Sequence, residues 1–168
     1  MIENVEMKYS VGALLYSPAL NNKIGRTILG GTLGDKYSLA LCLEDTIAPD
    51  MVETAEKQAG ETLRQLFEAR QERDVYLPKL FIRVREPEQM QRVWKRIRPY
   101  REIFTGFIFP KYTVSNAAAY NQEMIRINEM SDRKIYMMPI LESRDIVHFR
   151  TRIGILRNIR DQVDAMED

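Results

Sequence analysis

Ser38-Leu39-Ala40-Leu41-Cys42-Leu43-Glu44-Asp45-Thr46 is the stretch on which the fold turns. Its apolar half has the length of a strand and no polar alternation, the pattern of a strand covered on both faces, as in a parallel sheet packed under helices. Its far end delivers two adjacent carboxylates, Glu44 and Asp45. Pro49 and Asp50 then lead into a long helical pattern, so the stretch is a strand-loop-helix unit with its charge at the strand's carboxyl end. Barrels and open α/β sheets place ligand sites at that end. Cys42 reads as a small buried strand residue, because no histidine lies near it in sequence to activate the thiol.

On the N-terminal side, Met1 to Lys8 is a polar lead-in and Tyr9 to Tyr16 is a strand closed by Ser17-Pro18, since proline cannot donate to a ladder. A short helix over Asn21 to Leu29 and the pairs Gly30-Gly31 and Gly34-Asp35 return the chain to the Leu39 strand. On the C-terminal side, Asp50-x-x-Glu53 has the form of a capping box, and Val52, Ala55, Ala59, Leu63, Leu66 and Phe67 recur at helical spacing. Lys79 to Arg85 is a third strand. Glu86-Pro87 opens a helix whose apolar face is Met90, Val93, Trp94 and Ile97. Arg92, Lys95, Arg96, Arg98 and Arg101 on the same segment read as a solvated outer face rather than a phosphate-binding stripe.

Thr105 to Lys111 is a fourth strand, followed by a helix capped by Ser115 with Ala118, Ile125 and Ile127 toward the core. Ile135 to Glu142 is a fifth strand, with Pro139 a local objection to regular pairing. Ser143 to Asp168 is helical, with Ile153, Leu156, Ile159 and Val163 on one side; His148, the only histidine, reads as an ordinary helix residue rather than a ligand.

The 168 residues, 45% apolar, are enough for one domain with a sizeable core, taken here as 1–168. Lys and Arg number 25 against 24 Asp and Glu, which gives no electrostatic case for nucleic acid or an anionic membrane. No nucleic-acid-reading motif is present either. One cysteine, no signal-type segment and no run of about 18 apolar residues read as a cytoplasmic protein without a membrane span.

Strands starting near residues 9, 39, 80, 106 and 135 recur at about 30 residues, the step of an eight-unit (β/α) barrel of roughly 250 residues. An open five-stranded parallel sheet satisfies the same pattern. Polar residues at successive strand ends (Ser17, Glu44 with Asp45, Arg83, Lys111, Glu142) point to one shared mouth, which favours an α/β TIM barrel with about five β-α units present.

Leu43-Glu44-Asp45, Ile82-Arg83-Val84, Phe109-Pro110-Lys111 and Leu141-Glu142-Ser143, in that order, resemble the citrate lyase β-subunit family within the HpcH/HpaI aldolase superfamily, and most of all its carbon-carbon bond lyase branch. The resemblance implies a TIM barrel that cleaves or forms a bond beside a carbonyl. It also implies Mg²⁺, with an oxoacid, hydroxyacid or acyl-coenzyme A type substrate. By the same resemblance Glu142 is a Mg²⁺ ligand, Arg83 binds substrate oxygens, Glu44 and Asp45 sit near the metal and its waters, and Lys111 is a further substrate-binding candidate. The chemistry agrees: a bond broken beside a carbonyl leaves an enolate, whose charge a metal ion or cation must meet. The chain departs from the family at Cys42, where an aspartate is common, and at Arg85, where an asparagine is common, so specificity is expected to differ.

The resemblance further implies a second metal-binding carboxylate after a sixth strand, whereas this sequence stops in the helix before it. Residues 1–168 alone are therefore expected to bind Mg²⁺ poorly, to lack lyase activity and to self-associate through open strand edges. A homo-oligomer is expected on the same ground. The competing reading is a non-catalytic binding or scaffold protein that keeps an aldolase-like shell.

Overall fold

The computed structural model describes Met7 and residues 9–166; the rest of the polar lead-in lies outside the described residues. Strands β1 (Ala13–Pro18), β2 (Tyr37–Cys42), β3 (Lys79–Arg83), β4 (Phe104–Phe109) and β5 (Tyr136–Pro139) form one parallel sheet in sequence order. Helices α1 (Ile24–Leu29), α2 (Val52–Glu72), α3 (Pro87–Ile97) and α4 (Val114–Glu129) make the crossovers, and α5 (Arg144–Val147) and α6 (Phe149–Asp164) follow β5. Five β-α units in succession make an α/β fold consistent with an incomplete TIM barrel.

The two faces of the sheet differ because side chains alternate along each strand. Leu39, Leu41 and Leu43, Leu80, Ile82 and Val84, and Phe104, Phe107 and Phe109 lie on the helix side, in one core with Ala59, Leu63, Leu66, Val93, Trp94 and Ile97 of α2 and α3. The opposite, inner face carries a smaller cluster, Ala40, Phe81 and Ile108 with Leu14, Met138 and Ile140. All six residues of β2 are buried, as its unbroken apolar run requires. At the carboxyl end the inner face finishes on Cys42 and Arg83, which are partners across β2 and β3.

A bulge keeps this division in phase. Leu80 faces Phe104 but Phe81 faces Gly106, leaving Thr105 as the extra residue. Its hydroxyl accepts the Leu80 N–H at 3.1 Å, so the unpaired ladder group is satisfied. A Cβ at Gly106 would lie 2.1 Å from the Tyr136 carbonyl oxygen, so glycine is what lets β5 close on β4 here.

Several local expectations are corrected. β1 starts at Ala13, after the left-handed Gly12 (φ 61), and runs through Pro18, which pairs with Cys42. Ala19 N donates to Cys42 O at 2.9 Å, so the missing N–H of Pro18 falls on the side away from β2. Pro139 is accommodated in the same way, with Ile140 N donating to Phe109 O at 2.8 Å. Asp50 does not cap α2: Pro49–Met51 is a 3-10 turn, no side chain caps the helix, and Glu53 pairs with Lys57. Helix α4 is capped by Thr113 in a box with Asn116, not by Ser115. Its buried face is Ala117, Tyr120, Asn121, Met124 and Ile127; Ala118 and Ile125 are exposed. On α6 only Ile159 is buried and Ile153 is exposed, while His148 lies exposed between α5 and α6. No helix among the described residues is long and apolar enough to cross a membrane.

Candidate active site

The carboxyl ends of β2, β3, β4 and β5 bring five charged side chains together. Glu44, one residue past Leu43, is the innermost, with its side chain 9% exposed. Arg83 ends β3, and its Nη2 meets Glu44 Oε2 as a charge contact rather than an aligned hydrogen bond. The same nitrogen donates to Asp45 Oδ2 at 3.1 Å and lies 3.9 Å from Glu142 Oε1. Lys111 reaches across from the β4 end: its Nζ donates to Glu44 Oε1 at 2.8 Å and lies 3.8 Å from Asp45 Oδ1. Glu44, Asp45, Arg83, Lys111 and Glu142 therefore form one constellation, three carboxylates against two cations, whereas Ser17, expected at the same mouth, pairs with Leu41 on the helix side and accepts from Asn21 Nδ2 at 3.2 Å.

Glu44 sets the electrostatics. Burial disfavours the charge on Arg83, yet the Glu44 carboxylate beside it holds the guanidinium above its ordinary pKa. The hydrogen bond from Lys111 to Glu44, with that carboxylate's charge, also raises the Lys111 ammonium. Both cations keep their charge at neutral pH. Among the described residues Arg83 Nε and Ser143 Oγ, the latter next to Glu142, are buried without a hydrogen-bond partner.

Two features of the site had weak or no signal in the sequence. Lys111 has φ 50, a left-handed conformation rare outside glycine, asparagine and aspartate, of the kind stored at functional sites. Two hydrogen bonds hold it there: its own N–H donates to Glu142 Oε1 at 3.0 Å, and Asn116 Nδ2 donates to its carbonyl at 3.0 Å. The second is Arg85. Its guanidinium does not enter the mouth but turns under the loop after β2, donating to the carbonyls of Leu43 (2.9 Å), Glu44 (3.0 Å) and Ile47 (2.6 Å). Gln89 Oε1 accepts the Arg85 N–H at 2.7 Å, and Gln89 Nε2 donates to the buried Glu56. Arg85 thus fixes the loop that presents Glu44 and Asp45, which is work for a long five-donor side chain.

Among the described residues no three His, Cys, Asp or Glu side chains form a ready-made metal cage. The donors that face solvent are carboxylate oxygens, with Glu142 40% and Asp45 62% exposed. One or two carboxylates with room for water is the donor set Mg²⁺ takes, and a softer metal would want nitrogen or sulfur. The residues present fit Mg²⁺ in that open form, with Glu142 and Asp45 as the groups that would hold it. Cys42 is buried beside Arg83, its partner across β2 and β3, in keeping with a core role.

No curated protein matches the chain. The sequence profile of the family described as "C-C_Bond_Lyase of the TIM-Barrel fold" matches residues 5–168. That span takes in every strand and the whole carboxyl-end constellation, and the chain accordingly belongs to the carbon-carbon bond lyase family of the TIM-barrel fold.

Proposed function

We propose that this chain carries the site of a Mg²⁺-dependent lyase of the HpcH/HpaI aldolase superfamily, similar to the citrate lyase β-subunit. The reaction makes or breaks a carbon-carbon bond next to a carbonyl through an enolate, on an oxoacid, hydroxyacid or acyl-coenzyme A type substrate. The observation that carries this reading is the convergence of Glu44, Asp45, Arg83, Lys111 and Glu142 at one end of the sheet. Mg²⁺, when bound, supplies Lewis-acid polarisation of a carbonyl oxygen.

Arg83 offers a planar cation held through Nη2 by Glu44 and Asp45, and its remaining N–H groups are donor capacity for a developing oxyanion. Glu44 holds Arg83 and Lys111 in place rather than reacting, because both its oxygens are engaged by them. Lys111, with its side chain 67% exposed, would exchange its contact with Glu44 for a substrate carboxylate. Asp45 and Glu142 face solvent and would hold the metal. We further propose a cytoplasmic setting and a homo-oligomeric assembly.

Glu142→Gln tests the reading. It removes one charge and no core atom, so calorimetry should show Mg²⁺ affinity falling by about tenfold or more while the circular dichroism spectrum is unchanged. Unchanged affinity would remove Glu142 from the metal site. A binding shell without turnover is the second reading, favoured by the mutual neutralisation of Glu44 with Arg83 and Lys111. Metal-dependent release of a keto product from an acyl-coenzyme A or hydroxyacid panel would exclude it.

A further inference from the structure

Tyr16 belongs to none of the motifs at the mouth, yet it stands on its inner face. It pairs with Ala40, two positions before the Pro18 and Cys42 pair, so it shares the face of the sheet that Cys42 and Arg83 occupy. The Arg83 Cζ lies 5.8 Å from the centre of the Tyr16 ring. At the other end of the same guanidinium Nη2 is held by Glu44 and Asp45, while Nε is buried without a hydrogen-bond partner. Joined to its own side chain at Nε and held at Nη2, the guanidinium can still turn about the line between those two points. An aromatic ring centred 5.8 Å from Cζ restrains that motion, since its quadrupole attracts the cation.

From this juxtaposition we propose that Tyr16 is the positioning residue for Arg83: its ring holds the guanidinium so that the donors not bound to Glu44 and Asp45 face the substrate oxyanion. The role is assigned to the ring; the Tyr16 hydroxyl, which also interacts with Arg83, is the competitor that the Phe variant separates. Tyr16 is 47% exposed, so the ring is also open to solvent on one side. This rests on the reading of Arg83 as an oxyanion-binding group.

The test uses Tyr16→Phe, Tyr16→Leu and Arg83→Lys in the full chain, with two readouts. The first is binding of oxalate, a planar enolate mimic, by calorimetry with Mg²⁺ present. The second is the rate at which phenylglyoxal modifies Arg83, followed by peptide mass spectrometry and needing neither metal nor turnover. Tyr16→Leu, which keeps bulk but loses the ring face, should weaken oxalate binding about fivefold and speed modification of Arg83. Tyr16→Phe should restore both. If Tyr16→Phe behaves as Tyr16→Leu does, the hydroxyl is the acting group and the positioning role is overturned. If Arg83→Lys abolishes oxalate binding while Tyr16→Leu leaves both readouts unchanged, Tyr16 is idle and the reading of Arg83 survives. If neither the unaltered chain nor any variant binds oxalate, the oxyanion reading fails, and the Arg83 modification rates alone still decide whether the ring holds the guanidinium.

Discussion

At the residue scale two neighbouring arginines divide the labour: Arg83 faces the mouth and Arg85 holds the loop beside it. Arg83 and Arg85 stand two apart, and an extended strand would put both on one face. β3 ends at Arg83, however, and the chain past Val84 turns Arg85 beneath the loop that carries the carboxylates. Arg85→Ala should therefore destabilise the chain by about 2–4 kcal/mol in denaturant unfolding, because three part-buried carbonyls lose a charged donor. Arg85→Lys should recover only part of this, since one ammonium cannot span all three. A loss under about 0.5 kcal/mol for the alanine variant would show that water replaces the guanidinium freely. From the sequence Arg85 was legible only as a departure from a family pattern, because a strand-end arginine looks the same whether it faces substrate or its own backbone. Lys111 was legible as a strand-end cation, but its left-handed backbone was not, since that conformation is imposed by Glu142 and Asn116 from other segments.

At the scale of elements, strand existence was plain where burial was continuous. β2, β3 and β4 follow from runs of Leu, Ile and Phe, and the buried face of α3 holds the Met90, Val93, Trp94 and Ile97 expected from spacing together with the polar Gln89. The face of α4 was misread because one of its buried residues is polar. Asn121 accepts from Tyr112 Oη at 2.7 Å and donates to the Gln162 carbonyl at 2.9 Å, fastening α6 to α4, and hydropathy gives no sign of such a contact. The Thr105 bulge was equally silent. Its neighbour gives a direct test: in Gly106→Ala the added Cβ meets backbone rather than a movable side chain, so β5 must shift. We expect a loss of about 1–3 kcal/mol and, because β5 carries Glu142, weaker Mg²⁺ binding in the same variant. Stability equal to the unaltered chain would mean that the two strands part without cost.

At the scale of the whole molecule, an aromatic stack ties the helix-side core to the mouth. Phe109 and Tyr120 stack at 4.5 Å, Tyr112 lies beside both, and Tyr120 Oη donates to the Arg85 carbonyl at 3.3 Å. Burial pushes the Tyr120 phenol up to about 12 from 10.0. The folded value lies above the unfolded one, so this contribution to stability is complete below the ordinary tyrosine range and is lost as pH rises toward about 12. Alkaline titration by tyrosinate absorbance should show a late component that Tyr120→Phe removes, coincident with unfolding of the unaltered chain. A late component that persists in Tyr120→Phe would assign it to another phenol.

Strand order has a consequence in time. Each strand pairs with its neighbour in sequence, and the widest step in the sheet is the one that joins Ser38 to Lys79. No strand has to wait for a distant part of the chain before it finds its partner, so the entropic cost of closure is met in small instalments. As the polypeptide leaves the ribosome, β1 and β2 can pair with α1 across them before β3 has been made, and each later unit docks on an edge already formed. Assembly can thus proceed from the amino terminus onward, and of the five charged groups Glu142 arrives last, when the segment after β5 brings it to the waiting Lys111.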